Sequence, residues 1–126
     1  MVVRNQTTEI YQGNTRILQF SVKDEDGTSA KDLTGYTATF CVARTNDEGV
    51  PLKKSPVIDH STTDASPQLI ITDEPNGVVE FTFAAADTSN LAAGEYYFEL
   101  EVTDAAFGTL VVATGTLTVY TNVNNA

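Results

Sequence analysis

The stretch Gly94-Glu95-Tyr96-Tyr97-Phe98-Glu99-Leu100-Glu101-Val102 alternates apolar and polar side chains along most of its length. Its two faces are Tyr96, Phe98, Leu100 and Val102 on one side, and Tyr97, Glu99 and Glu101 on the other. A period of two residues is typical of a half-buried antiparallel strand. We therefore expect this stretch to be the core strand of a β-sheet.

The residues just before this strand predict a corner between two sheets. Residues 87–93 are small or polar apart from Leu91, and they are followed by Gly94 and then by Tyr96. This order is typical of the corner of an immunoglobulin-type sandwich, where a Tyr hydroxyl bonds the backbone of the corner. In antibody domains a Cys lies two residues after this Tyr, and here that position is Phe98.

Short strand patterns with turn residues between them cover the rest of the chain. The predicted strands are 7–12, at an edge, then 15–23, 36–43, 68–72, 78–83, 94–102 and 108–120. Within the excursion 44–68, Pro51 and Pro56 exclude a central strand, so residues 50–55 are an edge strand or irregular. Helical periodicity is almost absent, which predicts an all-β fold, an antiparallel immunoglobulin-like β-sandwich of seven to eight strands.

Two features of the apolar pattern give finer expectations. The last strand changes phase between Leu110 and Leu117, which predicts a β-bulge near Gly115. An aromatic set should fill the space between the sheets in place of a disulfide: Phe20, Tyr36, Phe40, Phe81, Phe83, Tyr96 and Phe98. We expect one domain over residues 1–126, with its core at about 7–120 and a polar tail at 121–126.

Composition and charge exclude several classes of function. The chain has 126 residues, 41% of them hydrophobic, with 7 basic and 17 acidic residues and a net charge of −10. Such a surface repels phosphate backbones, so nucleic acid is not an expected partner. No apolar run reaches the roughly 20 residues of a membrane helix, and residues 1–6 lack the apolar core of a signal peptide. We predict a soluble protein made in a cytoplasm, with no membrane partner.

Few residues of the sequence suggest catalysis or metal binding. Cys41 lies in a predicted strand, where a free Cys usually behaves as a small apolar residue, and His60 lies in a polar segment that we interpret as a solvated loop. The run 24–27 has three consecutive acidic residues and a Gly, but it lacks the remaining ligands of a calcium loop, so a solvated hairpin is favoured. We therefore predict no enzymatic activity, no catalytic or metal-binding residues, no cofactor and no small-molecule substrate.

A second hypothesis rests on tyrosines. Tyr11, Tyr97 and Tyr120 lie on the outward side of their strands. Flat aromatic rings can stack on sugars or on partner proteins, although isolated outward tyrosines are also ordinary on sheet surfaces. The alternative function is therefore a glycan-binding or host-attachment module.

Several turns and core segments together carry a resemblance. They are 12–15, 20–24 with 26–27, 32–36, 40–42, 77–83, 86–88, 94–100 and 113–119, with sequences such as Asp32-Leu33-Thr34-Gly35-Tyr36 and Gly77-Val78-Val79-Glu80-Phe81-Thr82-Phe83. This pattern resembles the immunoglobulin-like domain of tailed-phage virion proteins, including the N-terminal domain of the phage baseplate upper protein. The resemblance extends from about residue 10 to residue 120.

The resemblance implies a non-enzymatic structural part of a bacteriophage particle. It would be made in the host bacterial cytoplasm and located in the virion, as a capsid decoration or cement protein or as a tail or baseplate component. Its expected partners are other virion proteins, in a homo-oligomer or symmetric assembly, through many modest contacts. Because the excursion 44–68 and the two termini are irregular and polar, we expect them to make those contacts.

Overall fold

Eight strands and one short helix form the fold in this computed structural model, which describes residues 3–24 and 26–122. The strands are β1 (Val3–Tyr11), β2 (Arg16–Ser21), β3 (Thr37–Ala43), β4 (Ile58–Ser61), β5 (Leu69–Asp73), β6 (Val78–Phe83), β7 (Gly94–Asp104) and β8 (Gly108–Tyr120). The helix α1 (Ala85–Thr88) lies between β6 and β7. No helix in the described ranges is long and apolar enough to cross a membrane.

The strands form two packed sheets with the order of an immunoglobulin domain. One sheet has five strands in the order β1-β8-β7-β3-β4, and the other has three in the order β2-β6-β5. The strands β8, β7 and β3 correspond to the three shared by immunoglobulin domains, and β4 is the extra edge strand of the variable type. The predicted sandwich of seven to eight strands is confirmed.

One strand pair departs from the predicted antiparallel arrangement. β1 pairs with β8 in parallel, with Ile10 beside Val119, while every other described pair is antiparallel. The cause lies in the connection, because the chain leaves β1 through the turn at 12–15 and crosses to the other sheet. β1 is therefore free to lie at the edge of the larger sheet, as the sequence predicted, beside the last strand of the chain.

The strand β7 lies in the middle of the five-stranded sheet, and its predicted inward face is buried. Phe98 packs against Phe20 and Phe40, with ring centroids 6.2 and 5.7 Å apart. Phe40 in turn stacks on Phe81 of the opposite sheet at 4.4 Å. Such ring pairs are stabilising beyond the area that they bury, and they hold the two sheets together where an antibody domain has its disulfide.

The predicted corner is confirmed. The Tyr96 hydroxyl donates a hydrogen bond of 2.6 Å to the carbonyl of Ala92. Two further bonds join the corner to the turn after β1, from the Gln12 side chain to the Leu91 carbonyl at 2.6 Å and from the Gly13 amide to the Thr88 hydroxyl at 3.0 Å. These bonds hold the C-terminal end of the short helix and the corner that follows it.

The β-bulge exists, but its predicted position near Gly115 is wrong. The register between β7 and β8 changes where Leu100 faces Ala113 and Glu101 faces Val111, so Val112 is the extra residue. Gly115 has another role: a Cβ there would lie 2.6 Å from the Phe98 ring and closer still to the Gln6 carbonyl oxygen. This glycine makes room for the aromatic core and for the close approach of β1.

The excursion 44–68 contains a strand that the sequence did not indicate. Residues 50–55 form no strand beyond a single bridge between Thr45 and Pro51, and the edge strand is instead β4, paired with β3. Only Ile58 in β4 is an apolar core residue, because the next inward position is His60. A strand with one apolar residue gives no period-two pattern.

Candidate functional site

A small cavity lies on the outer face of the five-stranded sheet, between the sheet and the excursion that follows β3. Its volume is about 190 Å³, and its lining is Thr39, Cys41, Lys53, Pro56, Asp59, Glu99 and Glu101. The outward side chains of β3, β4 and β7 form its floor, since Cys41 faces Glu99 on one side and Asp59 on the other. Lys53 and Pro56 close it from above. Three carboxyl groups and one amine therefore converge in one place.

Glu99 is the most unusual residue of this cavity, because it is an acid with only 3% of its surface exposed. Its Oε2 atom accepts hydrogen bonds from the Tyr97 hydroxyl at 2.6 Å and from the Lys53 amine at 3.1 Å. Burial acts to raise the pKa of Glu99, but the hydrogen bonds and the charge of Lys53 outweigh it, and the pKa is lowered. Glu99 is thus held as a carboxylate.

The other oxygen of Glu99, Oε1, is buried and has no hydrogen-bond donor among the described groups. The carboxyl group of Glu101 lies next to Glu99, and their hydrogen bond, burial and mutual repulsion together raise the pKa of Glu101. Two adjacent carboxyl groups titrate as a pair, in which one proton can be shared. A proton shared by Glu99 and Glu101 therefore reduces the repulsion between the two carboxyl groups.

Cys41 and Tyr97 border the same carboxylate and are both held protonated. Burial, with the charges of Asp59 and Glu99, raises the pKa of Cys41 to about 11. Burial and the hydrogen bond to Glu99 raise the pKa of Tyr97 as well. A thiol with such a pKa is a poor nucleophile at neutral pH, so this geometry favours the inert role expected from the sequence.

His60 does not lie in a solvated loop, so that interpretation was wrong. It lies on β4 with its ring 5.4 Å from that of Phe81, on the core side of the sheet. Its Nε2 is 2.9 Å from Oδ1 of Asp87, whose Oδ2 accepts hydrogen bonds from the Ala84 amide and the Gln68 side chain, both at 2.7 Å. This network closes the side of the sandwich between β4 and β5, on the opposite face of the sheet from Cys41.

In the acidic turn at 24–27, the carboxylate of Asp26 is hydrogen-bonded to residues that follow it closely in the chain. Oδ1 of Asp26 accepts hydrogen bonds from the amides of Thr28 and Ser29, and Oδ2 accepts one from the Ser29 hydroxyl. These bonds lower the pKa of Asp26 to about 2. In residues 3–24 and 26–122, no group of three or more His, Cys, Asp and Glu side chains is placed to hold a metal ion.

The three outward tyrosines do not form one surface. Tyr97 is partly buried and bonded to Glu99, whereas Tyr11 and Tyr120 lie together at the edge of the larger sheet, with ring centroids 5.4 Å apart. Both of these rings are exposed. A hydrogen bond with Glu9 raises the pKa of the Tyr120 hydroxyl.

The sequence reasoning missed the cavity, although one signal for it was present. Glu99 and Glu101 occupy successive outward positions of the strand that was expected to be central. Acids there are ordinary if that face meets solvent, and they are costly if something covers it. The cover is Lys53, whose contact with Glu99 spans 46 residues of sequence.

No family model matches the chain, and no curated protein matches it. Among solved structures, the chain is similar to one described as Tim-1, with 13% identity, a TM-score of 0.39, and coverage of 94% of this chain and 95% of that chain. A likeness this weak carries no argument about function. The strand order and register define the class, which is an immunoglobulin-like β-sandwich.

Proposed function

We propose that this protein is a non-enzymatic structural component of a bacteriophage particle, either a capsid decoration or cement protein or a tail or baseplate component. It acts through contacts with other virion proteins in a homo-oligomer or symmetric assembly. It is made in the host bacterial cytoplasm and works in the virion, with no nucleic acid, membrane or small-molecule substrate as partner. The residue pattern shared with phage immunoglobulin-like domains supports this proposal, and one surface feature supports it in particular.

That feature is a constrained loop with exposed apolar side chains, at residues 44–52. Its backbone is closed by hydrogen bonds from the Asn46 amide to the Val50 carbonyl and from the Leu52 amide to the Arg44 carbonyl. The Asn46 side chain accepts two more, from the amides of Glu48 and Val50. A loop that is already ordered loses little conformational entropy when it binds.

The apolar side chains of this loop point away from the core. Val50 and Leu52 are 51% and 44% exposed, and Leu52 contributes to a shallow apolar depression formed by residues 51–55. The fully buried centre of a protein interface is more apolar than the rest of the protein surface, so exposed apolar side chains on an ordered loop suit such a position. This loop is part of the excursion for which the sequence predicted contacts.

Particle incorporation tests the proposal. In phage particles purified from infected cells, we expect this protein in stoichiometric copies. The V50S/L52S variant should bind the particle about tenfold more weakly or worse, because it loses two apolar contacts with its neighbours. Quantitative mass spectrometry of the particles measures the copy number. The matched control is Ile70→Ser on β5, an exposed apolar residue of the other sheet at 49% exposure, which should be incorporated normally.

Two results would contradict the proposal. One is the absence of the wild-type protein from purified particles. The other is incorporation of the folded V50S/L52S variant at the wild-type copy number, which would move the interface away from this loop.

The exposed pair of Tyr11 and Tyr120 supports a second candidate, a glycan-binding or host-attachment module. Two adjacent rings at a sheet edge offer a stacking surface for a sugar. On a glycan array, the isolated domain should then bind a defined sugar, and Tyr11→Ala should weaken that binding about tenfold, the equivalent of one lost stacking contact. Ile17→Ala, an exposed change on β2, is the control. A domain that binds no glycan, or a Y11A variant that binds normally, would exclude this candidate.

A further inference from the structure

The tip of the hairpin between β7 and β8, residues 104–110, is an exposed apolar projection. Phe107 is 77% exposed, more than any other large apolar residue in the described part of the chain, and Leu110 is 45% exposed. The neighbouring strand β3 begins at Thr37, opposite Thr103, so the hairpin tip extends beyond it. Covering an apolar side chain as exposed as Phe107 would be favourable, because it removes apolar surface from water.

The hairpin tip is held in one shape by local hydrogen bonds. The Ala106 amide donates a bond of 2.6 Å to Oδ1 of Asp104, and the hydroxyls of Thr103 and Thr109 are bonded at 2.9 Å. Gly108 has a φ of 81°, a conformation that glycine adopts without strain and that closes the turn. A projection that is already ordered loses little conformational entropy when it docks.

A surface that matches the hairpin tip is the apolar depression at residues 51–55. Its volume is about 380 Å³, enough for a phenyl ring, and Lys53 and Lys54 border it. These are the only two consecutive basic residues of the sequence. Lys53 already contacts Glu99, so the positive charge offered to a partner comes mainly from Lys54. In a chain with a net charge of −10, this depression is therefore a place that attracts an acidic surface.

The hairpin tip and the depression lie at opposite ends of the larger sheet. Thr103, at the base of the tip, pairs with Thr37 at the start of β3. The depression follows the other end of β3, where the Leu52 amide bonds the Arg44 carbonyl just after the strand ends. At about 3.4 Å per residue, the 7 residues of β3 separate the two surfaces by roughly 20 Å. The tip of one copy therefore cannot reach its own depression.

We propose that the hairpin tip of one copy of this chain docks in the depression at residues 51–55 of a second copy. The Phe107 ring then packs on Pro51 and Leu52, and the Asp104 carboxylate lies beside the Lys54 amine. A lysine amine can also lie over the face of an aromatic ring. Because two different surfaces meet, each copy keeps one unused tip or depression for the next, and the contact repeats as a ring or a filament.

This inference rests on the proposed function for its setting, because it identifies one neighbour in the symmetric assembly as a copy of this chain. The two proposals can nevertheless fail separately. Self-association of the purified chain needs no particle, and incorporation through residues 44–52 needs no contact with Phe107. A chain that enters particles without associating with itself would contradict only this inference, and one that associates but is absent from particles would contradict only the proposed function.

Sedimentation velocity of the purified chain tests the contact. At an ionic strength of about 0.15 M the Debye length is about 8 Å, so the net charges of two copies are largely screened while contacting side chains still interact. We expect a weak, concentration-dependent association between about 10 μM and 1 mM, because a single hairpin tip buries less than the standard interface of about 1,600 Å².

Two variants with matched controls identify the surfaces. Phe107→Ser should weaken the association about tenfold or more, because it removes the ring that becomes buried. Lys54→Glu should weaken it several-fold, because it places a like charge beside Asp104. Two controls should associate as wild type: Ile17→Ser, at an apolar residue that is 62% exposed, and Lys23→Glu, the same charge change just after β2.

A mixing experiment shows whether two different surfaces meet. The Phe107→Ser variant keeps an intact depression, and the Lys54→Glu variant keeps an intact hairpin tip. A mixture of the two should therefore form a complex with one copy of each, at the affinity of the wild-type contact. Each variant alone should remain mostly monomeric at the same total concentration.

Three results would overturn the proposal. The first is a wild-type chain that stays monomeric at about 1 mM. The second is a Phe107→Ser variant that is folded by circular dichroism and associates as strongly as wild type. The third is a mixture of the two variants that associates no more strongly than either one alone, which would exclude a contact between the tip of one copy and the depression of another.

Discussion

Phe98→Ala should lower the free energy of unfolding by about 3 to 5 kcal/mol, as expected when a large aromatic side chain is removed from a core that cannot collapse around the gap. Phe98 is 1% exposed and lies against Phe20 and Phe40. Its neighbours come from both sheets, so the variant loses contacts across the sandwich. The loss is a large part of the roughly 5 to 15 kcal/mol that stabilises a typical domain.

Urea unfolding followed by circular dichroism measures this change. Phe107→Ala is the matched control, because the same substitution at an exposed turn residue should change the stability by less than about 0.5 kcal/mol. A change below about 1 kcal/mol in Phe98→Ala would mean that Phe98 is not central to the core.

The second large effect is expected for Gly115→Ala, which should destabilise the domain by about 1 to 3 kcal/mol or more, the usual cost of overpacking. The added methyl group would meet the Phe98 ring and the Gln6 carbonyl oxygen. Phe98 is held by its aromatic neighbours, whereas β1 is an edge strand with one partner. We therefore expect β1 to move away from β8.

Hydrogen exchange of the β1 amides, together with urea unfolding, tests this expectation. In Gly115→Ala, hydrogen exchange at the amides of Thr7 to Tyr11 should be faster than in Thr114→Ala, a control substitution that lies next to Gly115 on β8. In the Phe98→Ala background the glycine substitution should cost less, because one of its two collisions is gone. Unchanged stability and unchanged protection of β1 would show that the strand pair has room at this position.

The parts of the fold that could be predicted share a local cause. The alternation in 94–102 and the spacing from Gly94 to Tyr96 are properties of adjacent residues, and each identified its element correctly. The strand β4 could not be predicted, because its inward positions are Ile58 and His60, and the histidine is stabilised by Asp87 far along the chain. Side chains of that kind become inward-facing only through tertiary contacts.

The same reason explains the errors at β8 and at the cavity. A phase change shows that one residue is extra, but either Val112 or a later residue could be that residue until the partner strand fixes the register. Gly115 was predicted to lie at the bulge, yet its role is to leave space for the Phe98 ring and for β1. Glu99 and Glu101 were expected to lie on a solvent face, and only the return of Lys53 over the sheet makes them a site.

The parallel pairing of β1 with β8 has a mechanical consequence. Val3 lies beside Ala113 at one end of this pair and Tyr11 lies beside Tyr120 at the other, so the start of β1 and the end of β8 are at opposite ends of the sandwich. A tensile force between these two points acts along the strands and loads their hydrogen bonds together, in shear. An antiparallel hairpin pulled at its ends would open one bond after another. A domain pulled at these two points would therefore resist extension until the whole ladder broke at once.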